Sequence, residues 1–265
     1  MARYRASGRE RPLLKALRRL RQKAPRPLLA VFFAGLICVS LFEIWQIHSS
    51  YLQEQQIRRQ MEQFRPEAQP SADPALGVTN QSVLDAQGLN PDIVGWLTLD
   101  GTRIDYPFVQ AADNDAYLRR DINGEKARAG TLFLDCACDG AMQGFSSIIY
   151  GHNMKNGSMF ADLKTYDDPT FWNRNQTGWL FLPHATYKIE VFAYLTVQSD
   201  DSMVYSTSFE SGQVRQALLD YLQQSALRYR DLALTPRDRL LILSTCANDY
   251  GKARTIVAAR LIQLQ

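Results

Sequence analysis

Hydrophobic and polar positions divide the chain into one long apolar stretch near its start and a longer region of short, alternating runs. The apolar stretch from Leu28 to Ile47 is twenty residues long, and as a helix it spans roughly 30 Å, the thickness of the hydrocarbon core of a bilayer. Its single charge, Glu43, lies near the far end, where a side chain can reach the interface, and Trp45 suits the same level. The pattern therefore predicts one membrane-spanning helix over residues 28–47.

The second region has the strand-like runs of a β-rich domain. Two alternating runs flank Asp100-Gly101, which is a strong hairpin signal. Residues 211–231 have apolar positions near helical spacing and predict a helix of about five turns, and Asp168-Pro169 predicts the start of a shorter one. Further strand-like runs begin at residues 131, 146, 178, 186, 239 and 253. Many short strands joined by turns favour a closed antiparallel barrel or a sandwich.

Composition and charge place this domain outside the membrane. The chain is 46% hydrophobic, so a packed core is expected rather than disorder. Residues 1–27 hold ten of the 30 Lys and Arg and one acid, Glu10, which predicts a cytoplasmic N-terminus that also touches anionic lipid. A cleaved signal peptide is the competing interpretation, but no small-x-small cleavage site follows Ile47. We expect no nucleic-acid partner.

Helix formers and prolines set the remaining boundaries. Residues 48–64 are rich in helix formers, so the anchor helix can continue as a polar stalk, and three prolines between residues 66 and 74 indicate a linker. The sequence thus predicts four segments: a basic cytoplasmic tail over 1–27, a transmembrane anchor over 28–47, a stalk and linker over 48–77, and a folded extracytoplasmic domain over 78–265.

The four cysteines match no zinc-ligand spacing and no repeated disulfide framework. Alternation along the strand-like run from residue 131 puts Cys136 and Cys138 on the same strand face. A disulfide between residues two apart on a strand is strained, so we expect free thiols or a loop feature there. We expect no metal and no cofactor.

Cys246 is the candidate nucleophile because an apolar run, RLLILSTC, delivers it to the end of a strand. Arg254 follows eight positions later across a hairpin, and a nearby positive charge favours the thiolate. His152 also stands where an apolar run meets a polar loop, whereas His48 lies at the membrane boundary and His184 in a predicted turn. Taken singly, a buried structural cysteine and a strand-flanking arginine remain open interpretations.

Cys246, His152 and Arg254 are more informative together than singly. Acyl transfer by a thiol needs a thiolate, a proton donor for the departing amine, and positive charge where an oxyanion develops. Cys246, His152 and Arg254 supply one residue type for each need. The sequence therefore predicts thiol-dependent acyl transfer.

Several motifs resemble sortases, specifically class B. They are YGHNMKNGSMFADL around His152, LSTC ending at Cys246, and the arginine of ARTIVAARL. The runs NPDIVGWLTLDGTRIDYPFVQ and GTLFLD and the Asn-x-x-Tyr-Leu element that starts at Asn114 are also similar, so the resemblance covers about residues 88–264. It implies a mainly β fold: a closed eight-stranded barrel with N-terminal helices and one longer helix before the last two strands.

The resemblance also implies roles for residues. Cys246 is then the nucleophile of a cysteine transpeptidase, His152 the general acid and base, and Arg254 the group that holds substrate or oxyanion. The resemblance further implies that some residues line the groove for the substrate peptide or face the oxyanion. These are Asn114, Leu118 and Ser244 in the groove, and Thr245 through its backbone N–H.

The implied substrates are surface proteins or pilins of Gram-positive bacteria that carry a C-terminal sorting signal, of an Asn-Pro-x-Thr type. The acceptor is then an amine of a peptidoglycan precursor or a pilin lysine. Two other functions remain open. A hydrolytic cysteine peptidase or amidase passes the acyl group to water, although papain-like folds place Cys before His, the reverse of the order here. A non-catalytic, membrane-tethered barrel binds a partner and does not need Cys246.

Overall fold

The computed structural model describes residues 26–67, 78–246 and 251–264. The chain divides into two compact units, one ending at Tyr51 and one beginning at Leu52. The predicted basic tail lies almost entirely outside the described residues, as does most of the predicted linker. The compact unit that contains the barrel begins at Leu52.

The first described element, helix α1, runs from Arg26 to Glu62. Among the described residues, one helix, Pro27–Glu62, is long and apolar enough to cross a membrane, and none of its most apolar window is buried. The predicted span, residues 28–47, lies within it. An apolar helix of this kind near an N-terminus is compatible with a membrane anchor and with a signal sequence.

Strand pairing closes an eight-stranded barrel. The strands found in the described ranges are β1 Ile93–Leu99, β2 Asp105–Val109, β3 Leu132–Leu134, β4 Ser146–His152, β5 Thr177–Leu182, β6 Ala185–Gln198, β7 Arg228–Tyr229, β8 Arg239–Cys246 and β9 Ala253–Gln263. Their order is β5-β1-β2-β3-β4-β8-β9-β6-β7, and the additional pairing of β5 with β6 closes the ring. The two-residue β7 only extends β6 outside that ring. The predicted closed eight-stranded barrel is thus confirmed.

The barrel unit contains the helix predicted to start at Asp168-Pro169 and a shorter form of the helix predicted over 211–231. Besides α1, they are α2 Gln81–Gln87, a 3₁₀ helix Phe160–Asp167, α3 Pro169–Arg174 and α4 Gly212–Ser225. The side chain of Asp168 caps α3 as predicted. The helix predicted over 211–231 ends earlier, because Ala226 is extended and the N–H of Leu227 donates to the carbonyl of Tyr194 on β6. Residues that the apolar periodicity assigned to the helix therefore pair with the free edge of β6 instead.

Three apolar clusters fill and surround the barrel. One occupies its interior, the second lies under α4 on the outside, and the third joins the end of α1 and α2 to the opposite outer face. Strands β4 and β8 are therefore buried on both faces, which explains their nearly continuous apolar sequences. A buried strand has few conformational alternatives, so its end is a stable place for a reactive side chain.

The last part of α1 is packed on the barrel. Met61 is 2% exposed and shares a cluster with Trp96. Gln53 Nε2 donates to Asp121 Oδ2 at 2.8 Å, and Arg65 pairs with Asp105 at 2.6 Å. The end of α1 and the residues just after it therefore contact the barrel.

The packing of Met61 predicts a stability effect. Met61→Ala is expected to lower the free energy of unfolding by about 2–4 kcal/mol, because it removes a fully buried side chain and leaves a cavity. Urea denaturation followed by tryptophan fluorescence measures this loss. Gln63→Ala is the matched control, since Gln63 is exposed just after the end of α1. Equal stability of the two variants would show that α1 contributes no packing to the barrel.

The strand predicted from residue 131 ends at Leu134, before the two cysteines. The N–H of Cys138 donates to the carbonyl of Asp135 at 2.9 Å, which makes a turn instead of a strand. The prediction that Cys136 and Cys138 share a strand face is therefore wrong, whereas the expectation of free thiols in a loop is confirmed. Cys136 is exposed, and burial raises the pKa of Cys138 to about 11.

Candidate active site

Three adjacent strands bring the predicted catalytic residues into one row. Strand β8 lies between β4, to which it is parallel, and β9, to which it is antiparallel. The register pairs His152 with Cys246. On the other side Ser244 pairs with Ile256, and the same register continued by two residues sets Cys246 opposite Arg254. Since neighbouring strands lie about 4.8 Å apart, the three backbone positions are near neighbours.

The structure describes the backbone of Cys246 but not its side chain. Residues 247–250, the start of the predicted polar loop after it, also lie outside the described residues.

Close packing beneath β4 fixes the position of His152. Gly151 precedes it, and a Cβ atom at that position would lie 2.4 Å from Leu132 Cδ2 and 2.7 Å from Phe160 Cγ. Both side chains are completely buried, so they press directly on the backbone of the strand. His152 itself is half-buried at the strand end, as the sequence predicts.

The loop that follows His152 is closed on itself. Asn153 forms an isolated bridge with Met159, whose φ is 53°. Within the loop the N–H of Gly157 donates to the carbonyl of Met154 at 2.9 Å, and φ at Gly157 is +83°, a conformation that favours glycine. The loop therefore leaves the strand in a tight turn that keeps His152 at the rim.

Arg103 holds this loop from outside. Its guanidinium donates to Asp162 through Nη2 at 2.7 Å and Nε at 3.1 Å, and to the carbonyl of Asn156 through Nη1 at 3.2 Å. Burial alone would raise the pKa of Asp162, but the hydrogen bonds and charge of Arg103 outweigh it and lower that pKa. Asp162 therefore stays ionised, and the contact persists at neutral pH.

On its other side, the end of β8 is joined to β9 by a hydrogen bond between Thr245 and Thr255. Thr245 is 6% exposed, and its Oγ1 accepts the N–H of Thr255 at 3.0 Å. Arg254 is half-buried, and its Nη1 donates to the carbonyls of Gly251 and Ala253 at 3.2 and 3.3 Å. These local contacts keep the guanidinium at the beginning of β9.

The predicted groove residues Asn114 and Leu118 lie in the long connection between β2 and β3. Asn114 Nδ2 donates to Asp135 Oδ2 at 3.0 Å, and its Oδ1 accepts the N–H of Cys136 at 2.8 Å. Leu118 is half-buried and packs against the cluster that also receives Tyr150. Both residues are therefore linked to Tyr150 on strand β4, Asn114 through Asp135 and Leu118 through the shared apolar cluster.

Tyr150 and Tyr205 link the segment between β2 and β3 to strand β8. Tyr150 Oη donates to Asp135 Oδ2 at 2.9 Å, and its ring stacks on that of Tyr205 with centroids 6.1 Å apart. Tyr205 Oη and Ser244 Oγ are 3.0 Å apart. Ser244 is completely buried, so its hydroxyl supports Tyr205 in this arrangement.

Sequence reasoning did not single out Asp135, Tyr150 or Tyr205. A signal existed for Tyr150, because alternation along β4 puts it on the same face as His152. Asp135 also gave a signal, as a charged residue directly after the buried run of β3. Tyr205 lies outside regular structure, and no pattern in the chain indicates it.

The arrangement suits nucleophilic chemistry. A cysteine position flanked by an imidazole and a guanidinium has the residue types for thiolate formation, proton transfer and oxyanion stabilisation. In the part of the chain that the structure describes, no three His, Cys, Asp or Glu side chains cluster as metal ligands.

The family model, the similar sequences and the similar structures found for this chain agree with one another. A sortase domain model matches residues 97–262. Sortase B of Listeria monocytogenes is 37% identical over 188 residues, which cover 70% of this chain and 76% of that protein. A crystal structure of sortase B from Bacillus anthracis in complex with AAEK1 has a TM-score of 0.73 at 30% identity, covering 82% of this chain and 100% of that one. A Staphylococcus aureus sortase B–substrate complex has a TM-score of 0.67 at 25% identity, covering 85% and 100%.

Proposed function

Because the chain belongs to the sortase family of cysteine transpeptidases, as a class B member, we propose that it cleaves the C-terminal sorting signal of surface proteins and transfers them to an amine. In this proposal Cys246 is the nucleophile, His152 the general acid and base, and Arg254 the cation at the developing oxyanion. The pairing of His152 with Cys246 across β4 and β8 is the observation that carries it.

The first half-reaction forms a thioester. The thiolate of Cys246 attacks the carbonyl carbon of the scissile peptide bond, and the negative charge that develops on the carbonyl oxygen lies near Arg254 and the backbone N–H of Thr245. The C–N bond then breaks, and His152 donates a proton to the departing amine. The sorting-signal tail leaves with that proton, and the protein remains acylated on sulfur.

The second half-reaction reverses the roles. An incoming amine attacks the thioester carbonyl, and neutral His152 accepts the proton that the nitrogen loses. The C–S bond breaks and returns the thiolate to Cys246. One peptide bond is broken and one is formed, so no cofactor is consumed.

The peptide groove is proposed to run along the residues that follow β2 and the end of β8. Asn114 and Leu118 contact the peptide on one wall. The other wall lies at the end of β8 next to Cys246, where Thr245 offers its backbone N–H and completely buried Ser244 supports Tyr205 from behind. The hydrogen bond between Ser244 and Tyr205 supports this wall because it joins the buried strand to a half-buried tyrosine outside it. A sortase B relative has been solved as a substrate complex, which supports a peptide site on this fold.

The substrate signal is proposed to be of an Asn-Pro-x-Thr type, and the acceptor an amine of a peptidoglycan precursor or a pilin lysine. Helix α1 provides the proposed anchor, with a cytoplasmic N-terminus and the barrel outside the cell. The apolar, exposed surface of residues 28–47 supports a lipid environment for that segment.

Intact-mass spectrometry tests the reaction. The protein in detergent is incubated with Asn-Pro-x-Thr peptides, with and without an added amine. We expect an acyl adduct on Cys246, which the amine discharges as a ligated product. Rapid release of free acid despite the amine would instead identify a hydrolase, and an unreactive Cys246 with every peptide would favour a binding module.

A further inference from the structure

Asp135 is a buried carboxylate where two polar side chains near the active site meet. It is 6% exposed, and its single oxygen Oδ2 accepts hydrogen bonds from both Asn114 and Tyr150. Although β3 ends at Leu134, the N–H of Asp135 still donates to the carbonyl of Ile148 on β4, and its Oδ1 accepts the N–H of Ala137 in the following turn. The carboxylate ties the connection after β2 to strand β4, two residues before His152.

The side-chain amide of Asn114 has a fixed orientation. A carboxylate only accepts hydrogen bonds, so the nitrogen of the amide must face Asp135 and its oxygen must face the N–H of Cys136. An amide nitrogen carries two hydrogens, of which Asp135 takes one. The second N–H of Asn114 can therefore donate to a ligand.

The hydroxyl of Tyr150 is also fixed, but it leaves an acceptor for a ligand where Asn114 leaves a donor. Its one hydrogen goes to Asp135 at 2.9 Å, so only oxygen lone pairs remain for other partners. Burial, followed by the negative charge of Asp135, raises the pKa of Tyr150 far above its ordinary value. The phenol therefore stays protonated and keeps this direction throughout the working pH range.

The geometry points to Asp135 as a positioning residue that sets the hydrogen-bond polarity of the peptide groove, with an N–H donor on Asn114 beside an acceptor oxygen on Tyr150. An amide group of the bound peptide matches this pair, because it offers a carbonyl and an N–H side by side. A carboxylate does not match, because it offers no donor. This role rests on the proposed function, since the peptide is the ligand of that site.

Asp135→Asn tests the role at nearly constant volume, because the new amide can donate where the carboxylate only accepted. In the full-length protein in detergent, we expect the KM for an Asn-Pro-x-Thr peptide to rise about tenfold, the loss typical of a hydrogen bond to a charged group. We expect kcat to change less than about twofold. Asp139→Asn is the matched control: the carboxylate of this exposed neighbour accepts the N–H groups of Ala141 and Gln143 in its own turn.

A second measurement separates positioning from a general loss of structure. The rate at which iodoacetamide alkylates Cys246, followed by peptide mass spectrometry, is expected to stay unchanged in Asp135→Asn, because this small reagent needs no groove. Tyr150→Phe alone is expected to raise the KM as well, and the double variant to fall short of the sum of the two free-energy effects. Tyr150→Phe also serves as the test if Asp135→Asn does not fold.

The possible outcomes are distinct. An unchanged KM in Asp135→Asn, or a fall in kcat together with slower alkylation of Cys246, would overturn the positioning role. Strict additivity with Tyr150→Phe would also overturn it. Failure of the wild-type protein to turn over any sorting peptide would instead overturn the proposed function itself.

Discussion

Replacing His152 with alanine is expected to lower the turnover of a sorting peptide by at least about 10³-fold, within the range lost with a general acid and base. Cys246→Ala is expected to abolish turnover, since no other group on β8 can form the thioester. The double variant is expected to be no worse than Cys246→Ala alone, because groups that act as a unit have strongly non-additive effects. The in-register pairing of the two residues is the physical reason for this expectation.

The measurement is release of the tail peptide by each variant, followed by chromatography over a long incubation. His184→Ala is the matched control, since His184 is exposed in the turn between β5 and β6. Circular dichroism checks that each barrel remains folded. Wild-type turnover in His152→Ala would remove the imidazole from the mechanism and leave Cys246 to act without it.

The longer strands could be predicted from the sequence because their apolar runs are distinct. The run predicted to end at Cys246 is strand β8 to the residue, and the run from Ala253 is β9. The end of α4 could not be predicted, because the helical pattern continues past Ser225 while the edge of β6 offers hydrogen bonds to Arg228–Tyr229. Tertiary pairing outweighed local periodicity there.

Part of the site could also be predicted, since polar residues at the ends of apolar runs stand out. Which ends meet could not be predicted, because the parallel pairing of β4 with β8 joins strands far apart in the chain. The link from Asn114 through Asp135 to Tyr150 depends on the same pairing of strands and loops. Residue types thus indicated the chemistry, and only the fold gave the register.

Gly151→Ala is expected to damage both stability and activity. A Cβ atom there would lie 2.4 Å from Leu132 and 2.7 Å from Phe160, and both neighbours are buried and cannot turn away. Overpacking of this kind typically costs about 1–3 kcal/mol, which corresponds to a fall of about 3–10 °C in Tm for a domain of this size. The strain is relieved by moving the end of β4, so His152 shifts from its partner, and we expect turnover to fall about 10²-fold.

Thermal unfolding and peptide turnover measure the two effects of Gly151→Ala. Gly212→Ala is the matched control, because no heavy atom lies within 4 Å of its added Cβ and alanine is the better helix former at the start of α4. We expect it to match the wild type or slightly exceed its stability. A Gly151→Ala variant with wild-type turnover would show that the position of His152 does not depend on the packing of β4 against Leu132 and Phe160. If only stability falls, the end of β4 tolerates the shift, and the loop closed by Arg103 holds the imidazole in place.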